Sequence, residues 1–494
     1  MSTPLRIAIV HHHLKSGGVT RVIESTLRGF KQLKQPPACV VLCGEAPNAS
    51  EFPGACVVVP GLHYSNAQAK TPSPTVLFEQ LRGAARTALG GDPDIWHIHN
   101  HSLGKNTALP GLVALLADAG ESILLQMHDF AEDGRPDNYR LNQSDAAYAH
   151  RLYPGAPHVH YAVLNARDRS FFKHTGVASN QLHLLPNPVE TGQPHGNVSA
   201  AQIKQIRQTL GAQRLILAPV RAVRRKNFGE LLLWAALAPE GDVFATTLGP
   251  TNQNYSAAYQ RWQAFATQHK LPVRFAIAEQ YPHWEFEAIM QSADAIISTS
   301  LAEGFGLAFL EPWLFGKAIV GRNLPQISGD FVAHGIDLSG LYSAVGIPCE
   351  WIDLTALRSA IQSGLNKAYA AYATPLPADA VELAMGAIRL PEDRIDFAGL
   401  NETLQQAVIE RLVGDKAARQ CITDGLTAGM AGEDTIQHNA AIIQASYSTE
   451  HYAQHLSELY QDIAQQPAHP VRALDAQKLL GAFLKPENFR LLRT

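Results

Sequence analysis

The sequence has little cysteine, and its cysteines are not arranged as in a zinc site. Only five occur among 494 residues, and none forms a C-x-x-C pair, the spacing expected of a zinc framework. Cys39 and Cys43 lie four residues apart in an apolar run, where core packing accounts for both. An odd number of cysteines in a long chain favours a reducing compartment.

The chain also lacks a long apolar run and a strong charge bias. No apolar stretch approaches the ~18–20 residues that span a bilayer, and the apolar run LRIAIV follows the N-terminus without a charged leader. With 40 basic and 44 acidic residues, the formal net charge is -4, and nothing favours nucleic acid as a partner. We therefore expect a cytoplasmic protein with no transmembrane segment and no nucleic-acid partner.

What the sequence does contain is two series of alternating strand and helix patterns. The first starts at the apolar run 6–10 and the second at 214–220, with the polar stretch 193–200 between them. Such alternation is typical of a parallel sheet covered by helices, and a single core rarely grows beyond ~250–300 residues. The sequence predicts an α/β protein with three parts, namely an N-terminal Rossmann-like domain over 1–187, a C-terminal one over 188–440 with a helical insertion at about 352–440, and C-terminal helices over 441–494.

The most informative motif follows the predicted strand 294–300 and runs from Glu303 to Glu311. Its glycines, Gly304 and Gly306, let a ligand approach the backbone, and free N–H groups at a helix start favour an anion. The two glutamates are separated by seven residues, about two helical turns, and share a face if the helix starts early. One carboxylate then meets a sugar hydroxyl and the other a ribose, whereas the alternative is an acidic first turn followed by a surface glutamate.

Three further segments follow predicted strands, where ligands bind in open α/β sheets. Arg221 to Lys226 contains four cations suited to a diphosphate, although a solvated basic loop is the alternative. Gly17-Gly18 allows close backbone contact with a phosphate or sugar. His128 ends the strand pattern 122–128, where it would orient a sugar hydroxyl, unless it is a locally bonded structural histidine.

The other histidines do not indicate a metal. His97, His99 and His101 alternate along one strand pattern, and we expect them to involve two faces of the sheet and not a single three-histidine site. Asp92-Pro93-Asp94 precedes a strand and is interpreted as a loop. We therefore expect no metal and no resident cofactor.

Together these segments resemble the retaining glycosyltransferases of family 4, which have the GT-B fold of two Rossmann-like domains facing a cleft. Ser300 to Glu311 matches the family context S-x-x-E-G-F-G-L-x-x-x-E, with its E-x7-E motif. The resemblance implies that Glu303 contacts donor-sugar hydroxyls and that Glu311 holds the nucleotide ribose. It also implies a set of backbone groups that face the sugar and diphosphate, namely those of Gly304, Phe305, Gly306 and Leu307.

The resemblance extends to the other motifs. It implies that Arg221 and Lys226, five residues apart, bind the diphosphate, that Gly17 and Gly18 face the donor, and that His128 lies against the donor sugar. His99 and Asn100 match an acceptor-side H-x-H segment, and 447–465 resembles the final helix that returns to the N-terminal domain. Three segments depart from the family pattern, namely Val220, Asn187-Pro188 and Ile277. Ile277 stands where a glycine commonly approaches the nucleotide base, so the identity of the base is left open.

The implied function is transfer of a hexose-type sugar from a nucleotide diphosphate sugar, with retention of configuration and without a metal. The acceptor is a sugar, small molecule, protein or lipid-linked compound, and the sequence does not distinguish these or the oligomeric state. Three alternatives stay open. They are a nucleotide-sugar epimerase on the same fold, a sugar-nucleotide sensor without turnover, and a membrane-docked transferase with a lipid acceptor.

Overall fold

The computed structural model describes residues 4–47, 52–65, 71–145, 147–191, 198–423 and 430–493, so residues 193–197 of the predicted linker lie outside the described part. The chain divides into two units. The first comprises Met1–Glu190, Ala371–Thr374 and Ala445–Lys485. The second comprises Thr191–Ala370, Pro375–Gln444 and Pro486–Thr494. Among the described helices, none is long and apolar enough to cross a membrane.

The first unit is built on a seven-stranded parallel sheet. Its strands are β1 (Arg6–His11), β2 (Ala38–Cys43), β3 (Ala55–Val58), β4 (Ile95–His99), β5 (Ile123–Met127), β7 (Val159–Val163) and β8 (Leu182–Leu184), while β6 (Pro154–Gly155) pairs with β17 (Arg472–Ala473) in a separate ribbon. The order is β3-β2-β1-β4-β5-β7-β8. Strands β4, β5 and β7 are buried along their whole length, as expected where helices cover both faces of a parallel sheet.

Helices pack on both faces of this sheet. They are α1 (Gly18–Phe30), α2 (Pro74–Leu89), α3 (Leu109–Asp118), α4 (Pro136–Asn142), α5 (Ala166–Lys173), α18 (Thr449–Ala464) and α19 (Ala476–Phe483). Helix α18 packs against α1, with Tyr452, Leu456 and Tyr460 buried in the same core as Ile23 and Leu27. Ser448 follows the preceding helix and caps α18 by accepting a hydrogen bond from the His451 N–H. Of the two interpretations of the sequence over 440–466, one long amphipathic helix or a helix pair, the structure shows the pair.

The second unit contains a five-stranded parallel sheet in the order β11-β10-β9-β12-β13. The strands are β9 (Arg214–Arg221), β10 (Asp242–Leu248), β11 (Val273–Arg274), β12 (Ala295–Ser298) and β13 (Ala318–Gly321). The helices of the alternating part are α6 (Ala200–Leu210), α7 (Phe228–Leu237), α8 (Gln253–Gln268), α9 (Ile277–Gln280), α10 (Phe286–Ser292), α11 (Glu311–Leu314) and α12 (Pro325–Ala333). The apolar pattern of 273–278 predicts a strand, but β11 ends at Arg274, since Ala276 adopts a left-handed conformation, φ 50°, and caps α9.

The segment 352–440 is mostly helical, as predicted, but it also contains strands. Its helices are α13 (Leu354–Ala371), α14 (Ala380–Gly386), α15 (Glu402–Gly414), α16 (Lys416–Thr423) and the start of α17 (Glu433–Tyr447). Strand β14 (Gly346–Pro348) pairs with β16 (Arg394–Asp396), which pairs with β15 (Arg389–Leu390). Glu392 and Asp393 have positive φ and form the tight turn between the last two. Strands of two or three residues show no periodicity from which they could be predicted.

Candidate active site

The predicted motifs lie where each parallel sheet reverses its strand order. That reversal falls between β1 and β4 in the first unit and between β9 and β12 in the second. Ligands of open α/β sheets bind beyond the carboxyl ends of strands at this place. Strand β1 leads to Gly17 and Gly18, β9 leads to the cations 221–226, and β12 leads to Glu303. His128 follows β5, the neighbour of β4.

In the second unit, the structure brings Lys226 and Glu303 together. A 3-10 turn over Arg224–Lys226 directs the Lys226 ammonium to Oε1 of Glu303, and the two form an ion pair. Arg225 donates from Nη1 to Oε2 of Glu303 at 3.0 Å. Only 13% of the Lys226 side chain and 10% of the Glu303 side chain are exposed. Arg225 was part of the predicted basic cluster but was not singled out, because the family spacing points to residues 221 and 226.

The two charges decide the ionisation state of Glu303. Burial by itself would raise the pKa of the Glu303 carboxyl, but the charges of Lys226 and Arg225 outweigh it and hold the pKa below its ordinary value. The group is therefore an anion at neutral pH, which only accepts hydrogen bonds. A carboxylate with two cations at one strand end suits a ligand that combines hydroxyl donors with a phosphate.

Backbone hydrogen bonds join the loop after β9 to the loop after β12. The Thr299 hydroxyl donates to the Lys226 carbonyl at 2.8 Å, and the Leu301 N–H donates to the Arg225 carbonyl at 2.8 Å. The two loops therefore hold Lys226 and Glu303 as one constellation. Arg221 lies at the exposed end of β9.

Glu303 and Glu311 do not share a helix, which corrects the predicted two-turn arrangement. Glu303 lies in a loop, a 3-10 turn spans Leu307–Phe309, and Glu311 is the first residue of the one-turn helix α11. Gly306 adopts φ 97° and interrupts the helix, and Pro312 has no N–H to continue one backwards. A Cβ at Gly306 would also lie 2.8 Å from Cγ2 of Ile327, so the fold itself requires this glycine.

Gly17 and Gly18 differ in this respect. Gly17 has extended backbone, φ 177°, and neither residue adopts the left-handed conformation. Apart from the adjacent residues and the backbone of α1, no described atom lies within 4 Å of a Cβ built on Gly18, and only the Lys15 carbonyl oxygen approaches one on Gly17, at 3.8 Å. The packing of the first unit therefore does not require these glycines, and the start of α1 is open to a ligand.

In the first unit, His128 is fixed through both its ring and its backbone. Its Nε2 lies 2.9 Å from Nδ1 of His99, and one of the two nitrogens supplies the hydrogen. The backbone N–H groups of His128 and Asp129 donate to Oδ1 of Asn100 at 2.7 and 3.2 Å. Asn100 itself has φ 52°, a conformation that asparagine tolerates well. The sequence indicated Asn100 only through the H-x-H resemblance, and its contact with the residues after β5 was not predicted.

Burial keeps His128 neutral. It lowers the pKa of His128 to about 4, while Asp129 and Asn187 act in the opposite direction. Burial also lowers the pKa of His99 well below its ordinary value. A neutral imidazole both donates and accepts hydrogen bonds, so His128 suits a sugar hydroxyl better than an anion.

The expectation that the alternating histidines face both sides of the sheet is wrong for His97 and His99, because residues two apart on a strand share a face and their ring centroids lie 4.3 Å apart. His97 and His101 nevertheless have separate hydrogen-bond partners. His97 lies 2.6 Å from the Tyr460 hydroxyl and 3.0 Å from Oε1 of Gln126, whereas Nε2 of His101 lies 2.9 Å from the Leu152 carbonyl. Within the described part of the chain, no group of three or more His, Cys, Asp or Glu residues is arranged to hold a metal ion. The Asp92 and Asp94 carboxylates pair with arginines, Arg86 and Arg6.

Comparison with known proteins identifies the fold. Residues 201–350 match the family model described as glycosyl transferases group 1, so this segment is a glycosyltransferase group 1 domain. The chain is 26% identical over 344 residues to mannosylglucosyl-3-phosphoglycerate synthase of Petrotoga mobilis, a match that spans 65% of this chain and 65% of that relative.

Solved structures agree over nearly the whole chain. HepE of Anabaena in complex with UDP superposes with a TM-score of 0.55 at 14% identity, covering 92% of this chain and 100% of that one. Sucrose-phosphate synthase of Thermosynechococcus elongatus gives 0.52 at 13% identity, covering 93% and 99%. The predicted GT-B fold, α/β with two Rossmann-like units, is confirmed.

Proposed function

We propose that the protein is a glycosyltransferase that moves a hexose-type sugar from a nucleotide diphosphate sugar to an acceptor, with retention of configuration. The observation that carries this proposal is the pairing of the largely buried Lys226 and Glu303, with the partly exposed Arg225 beside them, at the strand reversal of the second unit. It lies inside the segment that matches the group 1 model. In this arrangement, two cations that can bind a diphosphate lie next to the Glu303 carboxylate, which can accept hydrogen bonds from sugar hydroxyls.

Each donor group has a proposed partner. Lys226 and Arg221 bind the diphosphate, Glu303 accepts from sugar hydroxyls, and Glu311 holds the ribose. The amides of residues 304–307 face the sugar and diphosphate, and Gly17 and Gly18 contact the donor from the first unit. HepE was crystallised with UDP and with UDP-glucose, which makes UDP the first nucleotide to test here.

In the proposed reaction, the bond between the anomeric carbon and the leaving phosphate oxygen breaks while the acceptor oxygen bonds to that carbon on the same face. The acceptor hydroxyl gives its proton to the leaving phosphate oxygen. Lys226 and Arg221 stabilise the negative charge that develops on the diphosphate, and preorganised charges of this kind are usually the largest catalytic contribution. Neutral His128 orients a sugar hydroxyl, and no metal ion is needed.

The test is a thermal-shift panel of UDP, GDP, ADP and dTDP on the wild type and on Glu311→Ala. A ligand at one hundred times its Kd stabilises the native state by about 2.7 kcal/mol. We expect one nucleotide to raise the Tm of the wild type and to lose that effect in the variant. The corresponding nucleotide sugar is then offered to candidate acceptors, and NMR of the product shows whether the anomeric configuration is kept.

Other outcomes would contradict the proposal. No Tm shift with any of the four nucleotides would remove the nucleotide sugar as substrate. A product with an altered sugar and no new glycosidic bond would show an epimerase, and binding without turnover on any acceptor would favour a sensor.

A further inference from the structure

Helix α15 contacts the loop that carries Lys226. This loop, called the basic loop, comprises residues 222–227. At the start of α15, Glu402 accepts hydrogen bonds from Nε and Nη2 of Arg224 at 2.7 and 2.9 Å. Burial would raise the pKa of Glu402, but the hydrogen bonds and charge of Arg224 lower it below its ordinary value. The pair is therefore ionised at neutral pH.

One turn further along α15, Gln405 contacts the end of the same loop. Its side-chain amide donates to Oδ1 of Asn227 at 2.9 Å, and Asn227 donates to Glu230 at 2.8 Å. Gln405 and Glu230 are completely buried, and Asn227 is 1% exposed. Asn227 adopts the left-handed conformation, φ 51°, which asparagine tolerates better than most residues other than glycine, and these bonds hold its side chain in place.

We propose that α15 positions the basic loop for the diphosphate, with Glu402 and Gln405 as positioning residues. The geometry of the 3-10 turn carries the argument. Arg224 pairs with Glu402, whereas the next two residues of the turn, Arg225 and Lys226, both pair with Glu303. The turn is therefore held at both of its ends by charged side chains, and loss of the Glu402 contact frees the residue from which Arg225 and Lys226 follow. The inference rests on the proposed function, and it gives a role to a segment for which the sequence suggested none.

If Glu402 served folding stability alone, its loss would lower the Tm; the positioning role predicts an effect on ligand affinity. The side chains of Arg224 and Glu402 are 35% and 20% exposed, and partly exposed ion pairs contribute little to stability. Loss of this pair should therefore act on ligand affinity more than on the Tm. Loss of the pair should weaken binding of the phosphate that Lys226 contacts, and should not affect binding of the remainder of the nucleotide.

The experiment compares Glu402→Gln with Glu382→Gln in the full-length chain. Glu382 lies in the same inserted segment and also forms a two-point ion pair with an arginine, but its partner is Arg358 and not a residue of the basic loop, and both side chains are exposed. Isothermal titration measures the Kd of UDP, GDP, ADP and dTDP and of their monophosphates, and calorimetry measures the Tm of each variant.

We expect Glu402→Gln to raise the Kd of the diphosphate that binds the wild type by about three- to tenfold, which lies within the range for coupled residues. The Kd of the corresponding monophosphate should rise less than twofold. Glu402→Asp should recover part of the loss, and Glu382→Gln should match the wild type. Arg224→Gln should reproduce the loss, and the double variant with Glu402→Gln should add little to it, since both remove the same pair.

Two results would overturn the inference, and they differ from each other. If the wild type binds a diphosphate and Glu402→Gln binds it as tightly as Glu382→Gln does, the positioning role fails while the proposed function stands. Equal weakening of diphosphate and monophosphate also rejects the role. If the wild type binds none of the four diphosphates, the proposed function fails and the inference fails with it.

Discussion

At the scale of single residues, two glycines of the predicted motifs, Gly306 in the second unit and Gly18 in the first, differ in whether the fold requires them. Gly306 has φ 97° and a Cβ there would press on Ile327, whereas Gly18 lacks a positive φ, and a Cβ there would meet no described atom within 4 Å beyond its chain neighbours and the backbone of α1. The fold requires the first glycine. Packing does not require the second, and in the proposed function it leaves room for the donor.

Alanine substitutions should separate these two reasons. Gly18→Ala should leave the Tm within about a degree of the wild type, because surface changes away from special features cost little, but should lower kcat/KM through loss of close backbone approach. Gly306→Ala should cost roughly 1–3 kcal/mol of unfolding free energy through backbone strain. Chemical denaturation and steady-state kinetics on both variants provide the check. Equal Tm losses in the two variants would contradict this account.

The residue scale also shows what a sequence motif can and cannot predict. Glu303 and Lys226 were predicted by the resemblance, each from its own short motif. Their mutual ion pair was not, because 77 residues separate them and only the strand order brings the ends of β9 and β12 together. Arg225 was overlooked for the same reason.

At the scale of elements, the carboxyl ends of β1, β4 and β5 collect histidines in the interior of the first unit. The His99 ring contacts the His11 ring on one side and the His128 ring on the other, with ring centroids 6.0 and 5.1 Å apart. Burial lowers the pKa of several histidines to about 4 or below, including those of His12, His97, His101 and His128. In an unfolded chain these groups titrate near ~6.5.

These shifts predict that the protein loses stability in mild acid. Between about pH 6.5 and 4, the unfolded chain binds protons that the folded histidines do not, so the unfolding free energy falls as the pH falls. Glu132 and Asp168 act oppositely, because burial raises their pKa values to about 7 and 6 and the folded state then holds the extra proton. The histidines outnumber them, so the Tm should decrease from pH 6.5 to 4.

Calorimetry across this pH range measures the effect. Replacing His101 with Gln, which can keep a donor toward the Leu152 carbonyl, should reduce the slope by up to ~1.4 kcal/mol per pH unit. His334→Gln on the exposed surface is the matched control and should leave the slope unchanged. A slope unaffected in both variants would show that His101 is not a source of the acid sensitivity.

Elements differed in how well the sequence predicted them. Long apolar runs such as β1 and β9 were predicted nearly to their ends, because continuous burial leaves a continuous apolar pattern. The helix predicted after Glu303 is largely absent, since one left-handed glycine and one proline interrupt it. The strand 273–278 was wrong after Arg274 because Ala276 takes a positive φ that its residue type does not reveal.

At the scale of the whole molecule, segments that are far apart in sequence pack against one another within each unit. Glu402 reaches the basic loop from 178 residues away, and α18 reaches α1 from more than 400 residues away. The parallel sheets were predictable because they consist of local alternating patterns. The helical character of the inserted segment was predicted, but its contacts with the basic loop were not, because they depend on long-range pairing and are not marked by any local motif.

The same convergence gives a prediction about metal ions. In the proposed reaction, the charge of the leaving diphosphate is met by side chains of this chain, with Lys226 and Arg225 already gathered at one carboxylate and Arg221 at the end of the same strand. Fixed cations can replace a metal in this electrostatic role. We therefore expect turnover in excess EDTA to equal turnover in added Mg²⁺ or Mn²⁺, as measured by release of the nucleotide diphosphate.

Two lysine variants test whether the basic loop carries this role. Lys226→Ala should lose activity under both conditions, and Lys204→Ala, which replaces an exposed lysine on α6, serves as its control. Activity that disappears in EDTA and returns with Mg²⁺ would mean that a metal ion, and not the basic loop alone, carries the charge of the leaving group.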